Sequence, residues 1–243
     1  MDDNLNFGKP EGKAGEELLD SMDIHHTPVS LWGLKNIKIK EDDVTLDIGC
    51  GSGLNIKRLF EKSPKAKSYG VDYSSTSVKK AKELNKKLVE KGCVEVVEAN
   101  VLDMPFNDET FDIITAFETV YFWPDLVNSF VEVKRVLNDE GKFVIIMDAN
   151  GCYAPELEEI TKNENCTFHT DEELKDFLFD AGYSRVTSII RKRKEDKRLV
   201  KRWYEDKYCE KLYDEGYPED VFVEFMEDGF PSSPEWCCII AEK

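Results

Sequence analysis

The strongest chemical signal in the sequence is a glycine-rich segment, Leu46-Asp-Ile-Gly-Cys-Gly-Ser-Gly53. It follows an apolar stretch that predicts a strand, and it precedes a predicted helix. Glycine allows a sharp turn and lets a ligand approach the backbone closely, while the N-terminus of the helix offers free N–H groups. The segment therefore predicts a ligand-binding turn, although a purely structural turn could have the same glycines.

The glycine spacing separates this segment from loops that bind the pyrophosphate of dinucleotides. The pattern is G-x-G-x-G, so the third glycine comes one residue earlier than in G-x-G-x-x-G. Asp47 lies just before the loop, where its carboxylate would repel a pyrophosphate. The same carboxylate would suit the ammonium group of a methionine moiety, directly or through water. This contrast favours S-adenosylmethionine (SAM) over NAD.

Polar side chains also follow the next two predicted strands. Asp72 ends the second strand, where a carboxylate can accept hydrogen bonds from both ribose hydroxyls, and Tyr73 can lie against an adenine ring. Asp72 could instead cap the following helix. After the third strand, the amide of Asn100 and the N–H of Val101 could recognise the adenine edge, with Asp103 as a rival for the exocyclic amine. These positions suit a nucleoside beside the glycine-rich segment.

The segment after the fourth predicted strand contains candidates for contact with a second substrate. Glu118 could act as a general base, and Tyr121 and Trp123 could hold a planar or cationic molecule, unless these aromatic rings only pack against the next helix. His26 is another candidate base because histidine titrates near neutral pH. Asp148, after the fifth strand, borders the same cleft. A metal site at Glu118 is less favoured than a base, and no metal is predicted.

The secondary-structure pattern that must position these residues is an alternation of strands and helices. The strands are apolar along most of their length, which is typical of a parallel sheet covered by helices on both faces. Thr27 and Pro28 predict the start of a second N-terminal helix, as N-cap and first helical residue. Strands are predicted at residues 44–48, 67–71, 94–99, 111–117, 142–147, 183–190 and 236–241, and helices at 12–20, 28–39, 55–62, 75–91, 125–137 and 170–181.

The chain divides into a core and three smaller parts. We expect an N-terminal helical cap over residues 1–40, a Rossmann-like core over 41–190, a helical insertion over 191–235 and a final core strand over 236–243. The insertion is too short to bury a core easily by itself. We therefore expect it to form a lid beside the substrate cleft.

Taken together and in order, these motifs resemble those of class I SAM-dependent methyltransferases, in the branch related to quinone biosynthesis and other small-molecule enzymes. The resemblance rests on residues 44–53, 71–74, 99–114 and 132–142. It implies a doubly wound seven-stranded sheet of order 3-2-1-4-5-7-6 with the last strand antiparallel. The insertion departs from the short hairpin usual in that family, and this puts the substrate side in doubt.

The resemblance also implies roles for individual residues. SAM would lie across the carboxyl ends of strands one, two and four, and S-adenosylhomocysteine would be the product. The ribose would be held at Asp72 and the adenine at Asn100 and Val101, with Tyr73 against its face. Phe117 would lie under the sulfonium. The glycine-rich loop would be formed by Asp47, Gly49, Cys50, Gly51 and Gly53.

Composition limits the partners and the compartment. The net charge of −17 opposes binding to phosphate backbones, so no nucleic-acid substrate is expected. The sequence contains neither a signal peptide nor an apolar run long enough for a membrane span, which favours a cytoplasmic protein. The seven cysteines are odd in number and lack C-x-x-C spacing, which favours reduced thiols over disulfides or a zinc site. A homodimer is compatible with these observations.

The sequence therefore predicts an enzyme that transfers a methyl group from SAM to a small-molecule acceptor by in-line displacement. A protein methyltransferase that docks its substrate on the insertion is one alternative. A SAM-binding sensor or adaptor without turnover is another. An oxidoreductase is disfavoured by the glycine spacing.

Overall fold

The computed structural model describes residues 6–148, 150–151, 166–192 and 235–243. Most of the predicted lid over 191–235 lies outside these described residues. Seven strands form one sheet of order β3-β2-β1-β4-β5-β7-β6, in which β1 to β5 are parallel and β7 is antiparallel to both neighbours. This confirms the predicted fold class. The strands are β1 Thr45–Ile48, β2 Ser68–Asp72, β3 Val94–Glu98, β4 Phe111–Phe117, β5 Leu137–Met147, β6 Arg185–Lys192 and β7 Glu235–Glu242.

Helices cover both faces of the sheet, which explains why its central strands are apolar throughout. One face packs under α5 and α6 around the fully buried Phe111, Phe130 and Phe143. The other face packs under α1, through Val29 and Trp32. The helices are α1 Gly12–Lys35, α2 Leu54–Lys62, α3 Ser75–Leu84, α4 Lys86–Glu90, α5 Leu126–Val136 and α6 Asp171–Asp180, and a 3-10 turn spans Val120–Phe122.

The N-terminal helix differs from the prediction of two separate helices. A single helix, α1, runs through Pro28, so Thr27 is not an N-cap. The hydroxyl of Thr27 instead donates a hydrogen bond to the carbonyl of Asp23 one turn earlier, at 2.6 Å. Proline in a helix interior costs about 3 kcal/mol. Burial of the segment from Thr27 to Leu34 against the sheet offsets this cost, and sequence periodicity alone did not reveal that contact.

The predicted helix over 75–91 is also interrupted. It breaks at Asn85, whose buried side-chain amide donates to the carbonyls of Gly53 and Ala81 at 2.9 and 3.0 Å. This amide fixes the end of the glycine-rich loop against α3. Strand β5 begins at Leu137 and not at the predicted residue 142. A bulge opposite β4 accommodates the extra residues. Thr170 and Glu173 form a capping box at the start of α6, where the sequence predicts a helix.

The close approach of α1 to the sheet gives a testable prediction about stability. A Cβ added at Gly33 would lie 2.6 Å from Cδ1 of Ile146. Overpacking of this kind costs about 1–3 kcal/mol, and the higher helix propensity of alanine returns up to about 1 kcal/mol. We expect Gly33→Ala to lower the free energy of unfolding by up to about 2 kcal/mol in urea denaturation. Cγ1 and Cγ2 of Ile146 would lie almost as close, at 2.7 and 2.8 Å, so the control background is Ile146→Ala, which lacks all three atoms. There the loss should be smaller; equal losses would contradict the steric explanation.

No helix in the described part of the chain combines the length and apolar character that crossing a membrane requires.

Candidate functional site

A cavity of about 310 Å³ lies at the carboxyl ends of the central strands. Its floor is formed by the glycine-rich loop after β1 and by the ends of β2 and β4, and α1 supplies one wall. Its volume is at the lower end of the range typical of small-molecule sites. Ligands of open parallel sheets bind at this edge, where the loops after the strands converge.

The glycine-rich loop adopts a conformation that requires glycine. Gly49, Gly51 and Gly53 all have positive φ angles, of 68°, 52° and 82°. A Cβ at Gly49 would lie 2.1 Å from the hydroxyl oxygen of Thr119. The loop can therefore pass tightly under the segment after β4. Gly49, Cys50 and Gly51 line the cavity, and Gly53 is the N-cap of α2 behind it.

Asp72 faces the cavity from the end of β2 and is only 8% exposed. One carboxylate oxygen accepts a hydrogen bond from the N–H of Gly51 and the other from the N–H of Ser74, each at 2.9 Å. Ser74, not Asp72, caps α3. Burial raises the pKa of Asp72, and these backbone hydrogen bonds oppose the rise. Each carboxylate oxygen keeps a lone pair for a ligand hydroxyl.

Asp47 lies beneath the loop and does not line the cavity. It is 1% exposed, and the hydroxyl of Thr115 on β4 donates a hydrogen bond to its carboxylate at 2.8 Å. Burial raises the pKa of Asp47 to about 7, and the nearby charge of Asp72 adds to the rise. Any contact between Asp47 and a bound ammonium would therefore need an intervening group, as the water-mediated form of the prediction allows.

The residues predicted to contact adenine border the cavity. Tyr73 is 44% exposed, and Asn100 and Val101 line the same side. The side-chain carbonyl of Asn100 accepts a hydrogen bond from the N–H of Leu102 at 3.0 Å, which leaves its amide hydrogens available. Asp103 is exposed and is not part of the lining. The structure therefore places Asn100, rather than its rival, at the cavity.

Two opposite charges in the cavity lining, Asp23 and Arg58, were not predicted from the sequence. The guanidinium of Arg58 is 6% exposed and donates hydrogen bonds to Asn55 and Thr27 at 2.6 and 2.8 Å. Asp23 on α1 accepts a hydrogen bond from the hydroxyl of Ser52 at 2.7 Å, and burial raises its pKa to about 6. Asn55 and Arg58 share one turn of α2, a local signal, whereas nothing near Asp23 in the sequence indicates its position.

Glu118 and its neighbours form the opposite wall. Glu118 has a φ of 51°, and its carboxylate accepts hydrogen bonds from the hydroxyl of Tyr121 at 2.9 Å and from the N–H of Asp148. Burial and the charge of Asp148 raise its pKa well above the usual value. His26 also lines the cavity, and burial lowers its pKa. One ligand atom from each of His26, Glu118 and Asp148 lies within 4.8 Å of the others.

Tyr121 and Trp123 play different structural parts. Tyr121 lies behind Glu118, outside the cavity lining, with its ring 4.5 Å from that of Phe168. Burial raises the pKa of Tyr121, so its hydroxyl remains a donor to Glu118. Trp123 lines the cavity with Phe117 and also stacks on Phe143 in the core. The alternative interpretation, that these rings pack against the protein core, therefore applies to Tyr121 and in part to Trp123.

The arrangement fits the chemistry of SAM. The opposite charges of Asp23 and Arg58 match the ammonium and carboxylate of an amino acid. Asp72, which ends β2 beside Tyr73, would offer a carboxylate acceptor to a ribose hydroxyl. Cys50 is not a nucleophile here, because burial raises the pKa of its thiol well above the usual value.

Comparisons with known proteins agree with this geometry. Residues 46–145 match the family model described as a methyltransferase domain. A 2-phytyl-1,4-naphtoquinone methyltransferase of Trichormus variabilis is 35% identical over 108 residues, which are 44% of this chain and 47% of that protein. A cycloartenol-C-24-methyltransferase of Oryza sativa is 30% identical over 131 residues, 54% of this chain and 37% of that protein. This chain thus spans less than half the length of both relatives.

A solved structure shares the fold. Geranyl diphosphate C-methyltransferase from Streptomyces coelicolor, in complex with Mg²⁺, geranyl diphosphate and S-adenosylhomocysteine, aligns with a TM-score of 0.64 and 20% identity. The alignment covers 99% of this chain and 88% of that one. The glycine-rich loop, the sheet order and the matched family model agree: residues 46–145 match a methyltransferase domain, and the sheet has the order expected of class I SAM-dependent methyltransferases.

Proposed function

We propose that this protein transfers the methyl group of SAM to a small-molecule acceptor bound between the end of β4 and α1. The observation that carries the proposal is that one cavity lining contains Asp23 and Arg58, Asp72, and Glu118 with His26. The first pair suits an amino acid, Asp72 suits a ribose, and the last pair suits a separate molecule. When bound, SAM supplies an electrophilic methyl group on its sulfonium.

The cofactor end of the cavity is formed by groups with little freedom to move. Asp23 and Arg58 would hold the amino-acid part, and Asp72 would accept the ribose hydroxyls. Tyr73, Asn100 and Val101 would surround the adenine, as predicted. Methyl transfer needs mainly positioning and exclusion of water. Hydrogen bonds within the protein position Asp23, Arg58 and Asp72 for that purpose.

The acceptor end is mainly aromatic with two groups able to accept a proton. Phe117, Phe122 and Trp123 line it, and Glu118 and His26 face it. An acceptor that loses a proton on methylation would meet one of these two groups. The quinone and geranyl diphosphate named for the related proteins support an organic acceptor of modest size. A protein acceptor would need an open groove, and nothing in this lining favours one.

Ligand choice is the first test of this proposal. We expect SAM and S-adenosylhomocysteine to bind at one site per chain in isothermal titration calorimetry, and NAD to give no heat. The reason is the short glycine spacing together with the opposite charges of Asp23 and Arg58 in the lining. Binding of NAD without either sulfur ligand would contradict the proposal.

Turnover is the second part of the same test. The protein is incubated with SAM carrying a labelled methyl group and a cell metabolite extract, and the labelled product is identified by mass spectrometry. We expect label in a small molecule. Label only in protein would support the docking alternative, and SAM binding with no labelled product would support a sensor.

A further inference from the structure

Three side chains of types that commonly bind metal ions lie close together where α1 meets the ends of two neighbouring strands. His26 comes from α1, Glu118 follows β4, and Asp148 follows β5. Strands β4 and β5 are parallel and pair through Phe117 and Ile146, so the residues just beyond them leave the sheet together. One ligand atom of each side chain lies within 4.8 Å of the other two. We refer to these three residues as the acceptor-side triad.

The carboxylate of Glu118 is held in place by hydrogen bonds, as metal-binding carboxylates usually are. Its two oxygens each accept one hydrogen bond, from the hydroxyl of Tyr121 and from the N–H of Asp148. Glu118 also shares a side-chain hydrogen bond with Asp148, and a metal ion bound there would displace the proton of that bond. Glu118 holds a left-handed backbone conformation, which non-glycine residues adopt rarely. Hydrogen bonds to metal-binding carboxylates of this kind are a regular feature of metal sites.

His26 provides a second, independent indication. Its imidazole lines the cavity and has no hydrogen-bond partner among the described residues. A neutral imidazole has one nitrogen with a free lone pair, which is the form that binds metals. Within the described ranges, no lysine or arginine forms an ion pair with Glu118 either. The triad therefore combines two carboxylates and an imidazole without a protein cation to balance Glu118.

We propose that the acceptor-side triad binds a divalent first-row metal ion. A donor set of one imidazole nitrogen and two carboxylate oxygens suits Mn²⁺, Fe²⁺ or Zn²⁺ better than Ca²⁺, which prefers oxygen ligands alone. Three protein ligands leave coordination positions open toward the cavity, as in catalytic rather than structural sites. An oxygen of the acceptor would take one of them. A hydroxyl bound there would lose its proton more readily. The acceptor class that follows is a molecule with a hydroxyl, carboxylate or phosphate oxygen near the methylated atom.

The metal site lies at the acceptor end of the cavity and so rests on the proposed function, but its test needs neither SAM nor turnover. Full-length protein is treated with a chelator, dialysed and titrated with Mn²⁺, and free Mn²⁺ is followed by electron paramagnetic resonance. Mn²⁺ is chosen because the seven cysteines would compete for softer ions. We expect one Mn²⁺ per chain. His26→Ala, Glu118→Gln and Asp148→Asn should each weaken binding about tenfold or more, whereas the neighbouring His25→Ala, whose ring is exposed, should not.

A measurement on the unaltered protein covers the case in which a variant does not fold. Bound Mn²⁺ should show hyperfine coupling to one imidazole nitrogen in pulsed electron paramagnetic resonance. Absence of saturable Mn²⁺ binding, absence of that coupling, or equal affinity in folded triad variants would overturn the proposal. The close approach of the three side chains would then be explained by a shared proton and not by a metal ion. SAM binding is measured separately, so a failed metal site would leave the proposed function standing.

Discussion

Asp72→Ala should weaken SAM binding by about 2–4 kcal/mol, because two ribose hydrogen bonds to a charged acceptor are lost. This corresponds to roughly 30-fold to 1,000-fold in the dissociation constant measured by calorimetry. The carboxylate already accepts hydrogen bonds from Gly51 and Ser74, so the variant also loosens the glycine-rich loop. Two controls separate these effects.

The first control is Asp43→Ala, which removes another buried aspartate, one that accepts a backbone hydrogen bond from Lys40 and does not line the cavity. It should leave SAM affinity unchanged. The second is S-adenosylhomocysteine lacking its 2′-hydroxyl. If Asp72 binds the ribose, this ligand should lose less affinity than the complete one when Asp72 is replaced. Equal losses for both ligands would mean that Asp72 acts only on the loop.

Asp47→Asn should change the way stability depends on pH. Burial raises the pKa of Asp47 to about 7 in the folded protein, against about 3.9 in an unfolded chain. The stabilising contribution is therefore complete below about pH 4 and is lost as the pH rises to about 7, because the unfolded chain releases its proton first. Over that pH range, the contribution of this one carboxyl group to the free energy of unfolding changes by about 4 kcal/mol. Asparagine does not titrate, and it can still accept the hydrogen bond from Thr115.

We expect the free energy of unfolding, measured in urea at pH 5 to 8 without ligand, to shift in favour of Asp47→Asn as the pH rises. Thr115→Val is a matched control that should change the pH dependence of stability in the opposite direction. It removes the hydroxyl that lowers the pKa of Asp47, so the loss of stability should extend to higher pH. Parallel pH profiles for the parent and Asp47→Asn would show that this carboxyl does not titrate in that range.

Local signals in the sequence were sufficient for most strands, for the glycine-rich turn and for part of the cofactor side of the cavity, but not for Asp23 and Arg58. Strand order followed from a family resemblance and is confirmed. The glycines of the loop were predicted to form a sharp turn, and the structure gives all three a positive φ. Asp72 and Asn100 were placed at the cavity because parallel strands end at the same edge. Such features depend on short stretches of chain, which explains why one sequence reveals them.

What the sequence by itself determined, then, is the alternation of elements, the turn and the side chains at the strand ends. Tertiary packing decided that Pro28 lies inside α1, because burial against the sheet outweighs its cost in the helix. It also decided that Asp23 meets Ser52 and that His26 meets Glu118 and Asp148. These groups are far apart in the chain. Their meeting depends on how a helix crosses a sheet, and hydrophobic periodicity specifies which face of a helix is buried but not which distant side chains that face will touch.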